Sequence, residues 1–317
     1  MARLIAVTGA TGFIGRSICR RLASAGYRVR ALVRSARPAP VLQDIGAEQV
    51  TGSLGDSSSL ERLADGAAAV VHCAGTVRGA TREHFDRVNV AGVRRLLQVL
   101  ESMSNPPRLL SLSSLAAREP QLSFYAASKH AGEQVLVNEA RRVVWLALRP
   151  PAVYGPGDRE LLPLFRLMAK GLAPVPGSLT ARFSMLYAGD LAAAVVAWLE
   201  TEHAASGVYT IDDGRAGGYD WPAVAAVVSR LCHRPVHVLQ VPSWLLGIPA
   251  LLNSLGGRLF GYAPMLTPEK LRELRHPDWV CDSTALMAQI DWRPRTQLEQ
   301  GLRSTPGWPG YREEQAA

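Results

Sequence analysis

Lysine is scarce in this chain of 317 residues. Of its 35 basic residues only Lys129, Lys170 and Lys270 are lysines. The arginines are scattered, with no more than two adjacent, so the net charge of +8 gathers into no basic tail or stripe. That pattern suits the codon bias of a GC-rich genome and argues against a nucleic acid as partner. Cysteine is scarce too. Cys19, Cys73, Cys232 and Cys281 include no C-x-x-C spacing, which disfavours a disulfide framework and a cysteine-only metal site. Histidines show no metal-ligand spacing either, and no metal is expected. A long apolar run is missing. The longest stretch free of Asp, Glu, Lys and Arg, 235–257, is broken by Pro242, Gly247 and Pro249. A spanning helix needs roughly 20 predominantly apolar residues, so this stretch reads as a buried or surface-lying cap segment. The apolar Leu4-Ile5-Ala6-Val7 is too short for a signal peptide and runs into glycines. We therefore expect a cytoplasmic protein.

What is present is ordinary for a globular chain, 48% apolar and 20% charged. The length allows one large domain or two modest ones, at about 100–200 residues each. The first two-thirds alternates β-branched runs with helical patterns. Strands are expected at Leu4–Val7, Tyr27–Val33, Ala69–His72, Arg108–Leu112 and Val143–Leu148. Ile14, Ile18 and Leu22 recur one turn apart, as do Val93, Leu97 and Leu100, and each set marks one face of a helix. Alternating strands and helices predict an α/β fold, a doubly wound parallel sheet covered on both faces. A further helix is expected from Asp190 to Leu199 with Asp190 as N-cap. Beyond about Gly214 the alternation fades and Pro and Trp increase. The expected division is a dinucleotide-binding domain at 1–154 plus about 183–213, and a smaller substrate lobe at about 155–182 and 214–317.

Two motifs carry chemistry. Thr8-Gly9-Ala10-Thr11-Gly12-Phe13-Ile14-Gly15 follows the first strand and opens a helix. Glycines there allow a tight turn and close approach of a pyrophosphate to unpaired helix N–H groups. The plain alternative is a strand–helix turn with no ligand. The second motif is Ser113-Ser114 at a strand end, followed by Tyr125-x-x-x-Lys129. Residues four apart share a helix face. An ammonium beside a phenol is expected to lower its pKa from about 10, which would let Tyr125 work as a general acid/base. A serine hydroxyl aimed at the same point can bind the substrate oxygen.

Together with Val71-His-Cys-Ala-Gly75, Val88-Asn-Val-Ala-Gly92, Leu112-Ser-Ser-Leu115 and Leu148-Arg-Pro-Pro-Ala-Val-Tyr-Gly-Pro-Gly-Asp158, these motifs resemble the extended short-chain dehydrogenase/reductases, the NAD-dependent epimerase/dehydratase group. The resemblance runs from residue 3 to about 200, and more weakly to about 309, where Trp279-Val-Cys-Asp-Ser283 and Trp292-Arg-Pro294 are similar to a C-terminal signature. It implies roles. Tyr125 is the expected acid/base, Lys129 holds the nicotinamide ribose and tunes Tyr125, and Ser114 polarises the substrate, with Ser113 the alternative. Gly9, Thr11, Gly12, Phe13, Ile14, Gly15, Leu54, Ala74, Gly75, Pro150 and Val153 are the expected cofactor contacts, and Asn89 the support of the active-site helix.

Departures from the group's pattern narrow the reading. The second strand ends Ala31-Leu-Val-Arg34 with no carboxylate for a ribose 2′-hydroxyl, and Arg34 with Arg37 can pair a 2′-phosphate. This is similar to the NADP-using ketone reductases, so NADP(H) is the expected cofactor and NAD(H) the alternative. Ser53 in Gly52-Ser-Leu54 replaces an acidic residue at the adenine position. Leu115-Ala-Ala-Arg118 lacks the Asp-Glu pair of dehydratases, and Pro150-Pro-Ala152 lacks the epimerases' diphosphate-binding Asn. Arg182 matches a phosphate-binding arginine of the sugar-nucleotide enzymes, or is structural.

The expected function is hydride transfer between the cofactor and a secondary alcohol or ketone, with a small-molecule substrate for which a lipid-like ketone is one option and a nucleotide-sugar another. Trp244, Leu245, Leu246, Ile248, Leu251 and Leu252 fall where the group builds its substrate cap. They read as lobe core, with an apolar pocket or a peripheral membrane contact as the alternatives. The competing functions are a nucleotide-sugar 4-epimerase with tightly bound NAD and a non-catalytic cofactor-bound subunit. The resemblance also allows a homodimer.

Overall fold

The structure, a computed structural model, describes residues 2–35, 37, 39–242, 245–248, 250–253, 267–309 and 311. In chain order the first half runs β1 (Leu4–Thr8), α1 (Phe13–Ser24), β2 (Arg28–Val33), α2 (Pro40–Gln43), β3 (Glu48–Thr51), α3 (Ser57–Ala64), β4 (Ala69–His72), α4 (Arg82–Asn89), α5 (Ala91–Ser102), β5 (Arg108–Leu112), α6 (Phe124–Glu139) and β6 (Trp145–Arg149). Then follow β7 (Ala152–Tyr154), α7 (Leu162–Ala169), β8 (Leu172–Val175), β9 (Arg182–Phe183), β10 (Met185–Tyr187), α8 (Ala188–Glu200), β11 (Gly207–Thr210), α9 (Trp221–Cys232) and β12 (His237–Gln240). A helix at Pro268–Arg275 and β13 (Asp278–Trp279) lie beyond.

Seven strands form one sheet in the order β3-β2-β1-β4-β5-β6-β11, and every pair is parallel. The strand residues alternate between two apolar layers. Val7, Val71, Leu110 and Leu146 pack with Ile18 and Leu22 of α1 and Leu191, Val195 and Trp198 of α8. Ala6, Val70, Leu109 and Ala147 pack with Leu60 of α3, Leu96, Leu97 and Leu100 of α5, and Leu136 of α6. Both faces are dry, which is why these strands read as near-continuous apolar runs. The order reverses between β1 and β4. The C-terminal ends of those two strands therefore leave a crevice, the place where open α/β sheets bind ligands. Smaller parallel pairs, β10 with β7, β12 with β8 and β13 with β9, lie outside this sheet. A third apolar cluster there centres on Tyr154, Phe165, Tyr219, Val228 and Trp308.

Three expectations need correction. Asp190 is not the N-cap of α8, whose cap is Tyr187. Asp190 lies in the first turn, where its Oδ2 accepts from the amides of Arg295 (2.9 Å) and Thr296 (2.7 Å). A short acidic side chain before an apolar run looks like a cap in sequence, but a distant segment claims it. Alternation also does not end at Gly214, since α9 leads into β12, which pairs with β8. The strand is nearly invisible in sequence because three of its four residues are exposed. Finally, most of the described leucines and isoleucines of 235–257 are not core. Leu239, Leu245, Ile248, Leu251 and Leu252 are exposed, while Ala250 is buried. Residues 243, 244, 249 and 254–257 of that stretch lie outside the described residues. No described helix is long and apolar enough to cross a membrane.

Candidate active site

The glycine turn closes the crevice at the end of β1. Gly9 sits at φ +68°, and a Cβ there would stand 2.6 Å from the Ala74 amide nitrogen. A Cβ at Gly15 would stand 2.1 Å from the Gly9 carbonyl oxygen. Only bare backbone lets the turn, the end of β4 and α1 come together. Gly12 caps α1 without a side chain, and the first turn holds no acidic residue. The helix therefore presents unpaired N–H groups and the positive end of its dipole to the crevice. That is the electrostatic and steric fit a pyrophosphate requires. Around it, Thr11 is exposed, while Phe13 and Ile14 are half-buried. The Ala74 amide donates to Thr8 Oγ1 (3.2 Å), which also meets His72 Nδ1 (2.8 Å). Next along, a Cβ on Gly75 would come within 3.0 Å of Lys129 Nζ.

Other expected cofactor residues follow the ends of β2, β3 and β6. Leu54 packs against Gly92, where an added Cβ would lie 2.8 Å from Leu54 Cδ1. Pro150 follows β6 and its carbonyl accepts from the Leu115 amide (2.9 Å). Val153 is half-buried in β7 against the first apolar layer. Arg34 and Arg37 are exposed just past β2. Among the described residues the one carboxylate paired to β2 is Glu48, which holds Arg28 and Arg30 near the strand's other end.

The Ser–Tyr–Lys set lies at the ends of β5 and α6. Ser113 and Ser114 prove to do different things. Ser113 Oγ donates to Glu133 Oε1 (2.5 Å), so its hydroxyl is spent inside the protein. Ser114 Oγ accepts from the Ala116 amide (3.2 Å) and lies close enough to Tyr125 to favour its ionised form. Tyr125 is set on the first turn of α6, whose N-cap Ser123 accepts from the Ala126 amide (2.9 Å). Its ring meets Phe85 at 6.2 Å between centroids.

The electrostatics correct one expectation. Lys129 was expected to pull the Tyr125 pKa down. Desolvation instead pushes Tyr125 up to about 12, against the Ser114 hydrogen bond, and Glu273 adds to the rise. The Lys129 ammonium donates to the Leu112 carbonyl (2.9 Å). Desolvation draws the Lys129 pKa down to about 8, although Cys73 and Glu133 oppose it. Tyr125 is thus a protonated phenol at neutral pH, a proton donor in readiness rather than a phenolate.

The surrounding polar groups are structural supports. Asn89 is 3% exposed. It accepts from the Thr76 amide (3.0 Å) and donates to Ser128 Oγ (2.9 Å), tying the loop after β4 to α6 as expected. His72 is buried, with its pKa pushed down to about 3 by desolvation and then by the Lys129 charge. It packs in the strand and stays neutral. Among the described residues no cluster of His, Cys, Asp or Glu could hold a metal ion. Arg182 donates Nε to the Gly217 carbonyl (2.7 Å), a structural use.

Sequence reading missed two features. The first is Glu133, 2% exposed, which binds Arg149 with both oxygens, at 2.8 and 2.6 Å. A carboxylate in a helix and an arginine in a strand carry no joint signal at this separation. The second is the helix Pro268–Arg275, which brings Lys270 and Glu273 beside Tyr125. Together with Val77, Arg78, Gly79, Phe85, Ser123 and Phe124, they line a small pocket that Tyr125 also borders. Of the three lysines, Lys270 stands 5.8 Å from the centroid of the Tyr125 ring, and no motif in the sequence announces it.

A glycine turn at the switch point of a parallel sheet, with a paired serine and tyrosine across the crevice, is a framework for dinucleotide-dependent chemistry. It defines the NAD(P)-dependent enzymes of the extended short-chain dehydrogenase/reductase class. Within that class the chain belongs to the NAD-dependent epimerase/dehydratase family, which it matches over residues 5–211. It is 39% identical over 311 residues to a ceramide reductase of Caulobacter vibrioides, covering 96% of this chain and 94% of that one. It is 26% identical over 334 residues to a UDP-glucose 4-epimerase of Vibrio cholerae, covering 96% and 95%. Its fold matches the UDP-glucuronic acid 4-epimerase of Bacillus cereus, solved with UDP-glucuronic acid and NAD, at a TM-score of 0.71 and 19% identity over 94% of this chain and 96% of that one.

Proposed function

We propose that this enzyme is an NADP(H)-preferring reductase of lipid-like ketones, converting them to secondary alcohols. One observation carries the reading: Tyr125, its phenol protonated and Ser114 beside it, borders a pocket with an apolar wall of Val77, Phe85 and Phe124. The 39% identity to a ceramide reductase supports a long-chain ketone over a sugar. When bound, the nicotinamide supplies a hydride. The protein supplies position and charge. Ser114 and Tyr125 hold the carbonyl oxygen, and Tyr125 delivers its proton as negative charge develops there. Lys129 and Gly75 would hold the ribose, and the glycine turn would cradle the pyrophosphate. With this reading goes the division into a cofactor part at 1–154 and about 183–213 and a substrate part formed by the remainder. The exposed Leu239, Leu245, Ile248, Leu251 and Leu252 suit peripheral contact with the lipid surface from which such a substrate comes, on the cytoplasmic side.

The test is stoichiometry. Each mole of long-chain ketone reduced should consume one mole of NADPH, and the protein should purify largely free of nucleotide. Release of near-stoichiometric NAD on denaturation, with UDP-sugars interconverted without added cofactor, would establish the epimerase instead.

Cofactor preference follows from the end of β2. Arg34 is exposed, and no described carboxylate pairs with it. A charge-assisted hydrogen bond to a 2′-phosphate is worth about 1.5–3 kcal/mol before screening by solvent. NADPH should bind more tightly than NADH in a direct titration, and Arg34→Ala should erase most of the difference. Equal affinities in the parent protein would refute this.

A further inference from the structure

The charged side chains lining the Tyr125 pocket are not equivalent. Arg78 pairs with Glu160, and Glu269 with Arg272 at 3.9 Å. Glu273 is 6% exposed and has both oxygens engaged. One accepts from Ser123 Oγ, the N-cap of α6, and the other from Lys270 Nζ at 2.8 Å. Lys270 differs from these. Its ammonium has three N–H donors, and among the described residues Glu273 is its one hydrogen-bond partner. The side chain is 42% exposed, and Nζ stands 5.8 Å from the centroid of the Tyr125 ring. Two donors are therefore left at the edge of the group that would protonate the ketone oxygen.

We propose that Lys270 determines substrate specificity by donating to an acceptor oxygen, an amide carbonyl or a hydroxyl, that the substrate carries a few bonds from its ketone. Glu273 is the positioning residue. Anchored on Ser123, it fixes Lys270 relative to the helix that carries Tyr125. This assignment rests on the ketone-reductase reading and refines it. Charge balance selects the kind of oxygen. Arg78 and Lys270 are offset by Glu269 and Glu273 in the same lining, so the pocket has no net positive charge with which to hold a phosphate or carboxylate. A neutral polar head fits, with Val77, Phe85 and Phe124 left for the apolar part. Specificity of this kind arises because the substrate that carries the oxygen gains a charge-assisted hydrogen bond from a positioned ammonium, which a substrate lacking it forgoes.

The experiment compares two ketones of equal chain length, one with an N-acyl group on the carbon beside the carbonyl and one a plain ketone. The parent enzyme should favour the amide-bearing ketone in kcat/KM. Lys270→Met should reduce that preference about tenfold, as expected for loss of one charge-assisted hydrogen bond, chiefly through KM. Lys270→Arg should restore part of it, and Glu273→Gln should give an intermediate loss. NADPH titration of each variant checks that the fold is intact. A Lys270→Met preference within twofold of the parent's overturns the assignment, and so does a parent that favours a carboxylate- or phosphate-bearing ketone. A parent that reduces neither ketone removes the reductase reading itself, and this inference with it.

Discussion

Tyr125→Phe should lower the rate of ketone reduction by about 10²–10⁴-fold, the usual contribution of a positioned general acid, while NADPH affinity changes little. The substitution deletes one hydroxyl. The ring and its contact with Phe85 remain, so packing is kept and the proton donor is lost. The phenol is pushed up to about 12 and Lys129 drawn down to about 8, so each has its own signature in the pH profile. Below about 8 Lys129 is charged and Tyr125 protonated, and reduction should run at its plateau. As pH rises through about 8, Lys129 loses its proton first and kcat/KM should fall. A fall centred near neutrality would mean that Tyr125 titrates much lower than its surroundings imply. Steady-state kinetics across pH on the parent and Tyr125→Phe separates these cases. A folded Tyr125→Phe protein with the parent's rate would revive the reading of a non-catalytic, cofactor-bound subunit.

Arg149→Met should destabilise the protein by about 3–5 kcal/mol, the range for a buried ion pair stripped of one partner. Glu133 lies in α6, Arg149 at the end of β6, and Ser113 just past β5 completes the set. One carboxylate thus ties two adjacent strands to the helix that carries Tyr125 and Lys129. With Arg149 gone, Glu133 keeps only the Ser113 hydroxyl, and a buried charge is left without a counter-charge. Replacing both partners, Glu133→Met with Arg149→Met, should recover much of the loss, because two apolar side chains of similar volume leave no charge to desolvate. Urea unfolding of the three proteins measures this. A single Arg149→Met variant within 1 kcal/mol of the parent would show that the pair does not hold this end of the sheet.

Much of the sheet could be read directly from the residues, because a doubly covered parallel sheet writes each inner strand as an apolar run. Ile5, Val70, Leu110 and Leu146 are such positions, each at most 1% exposed. The edges were harder. Glu48–Thr51 of β3 is half-exposed or exposed throughout, so it shows neither a run nor an alternation. The cofactor turn was legible because steric demand leaves glycine no substitute at Gly9 and Gly15. Ser114, Tyr125 and Lys129 were legible from spacing on one strand end and one helix. What spacing could not convey was their electrostatic state, since desolvation of a side chain depends on what packs around it. Lys129 shares α6 with Tyr125, but the Leu112 carbonyl takes its ammonium. Nor could spacing show Lys270 and Glu273, which reach the site from some 150 residues away through the Glu273–Ser123 hydrogen bond.

The central claim, net reduction of a ketone with the phenol of Tyr125 as acid, is tested most directly by following the hydride. The enzyme is given NADPH carrying deuterium at both positions of nicotinamide C4 and a long-chain ketone, and the product alcohol is analysed by mass spectrometry. The account predicts one deuterium on the carbinol carbon, one NADP⁺ formed for each alcohol, and near-complete loss of both in Tyr125→Phe. An unlabelled product, or epimerised UDP-sugar with no net oxidation of NADPH, would contradict it.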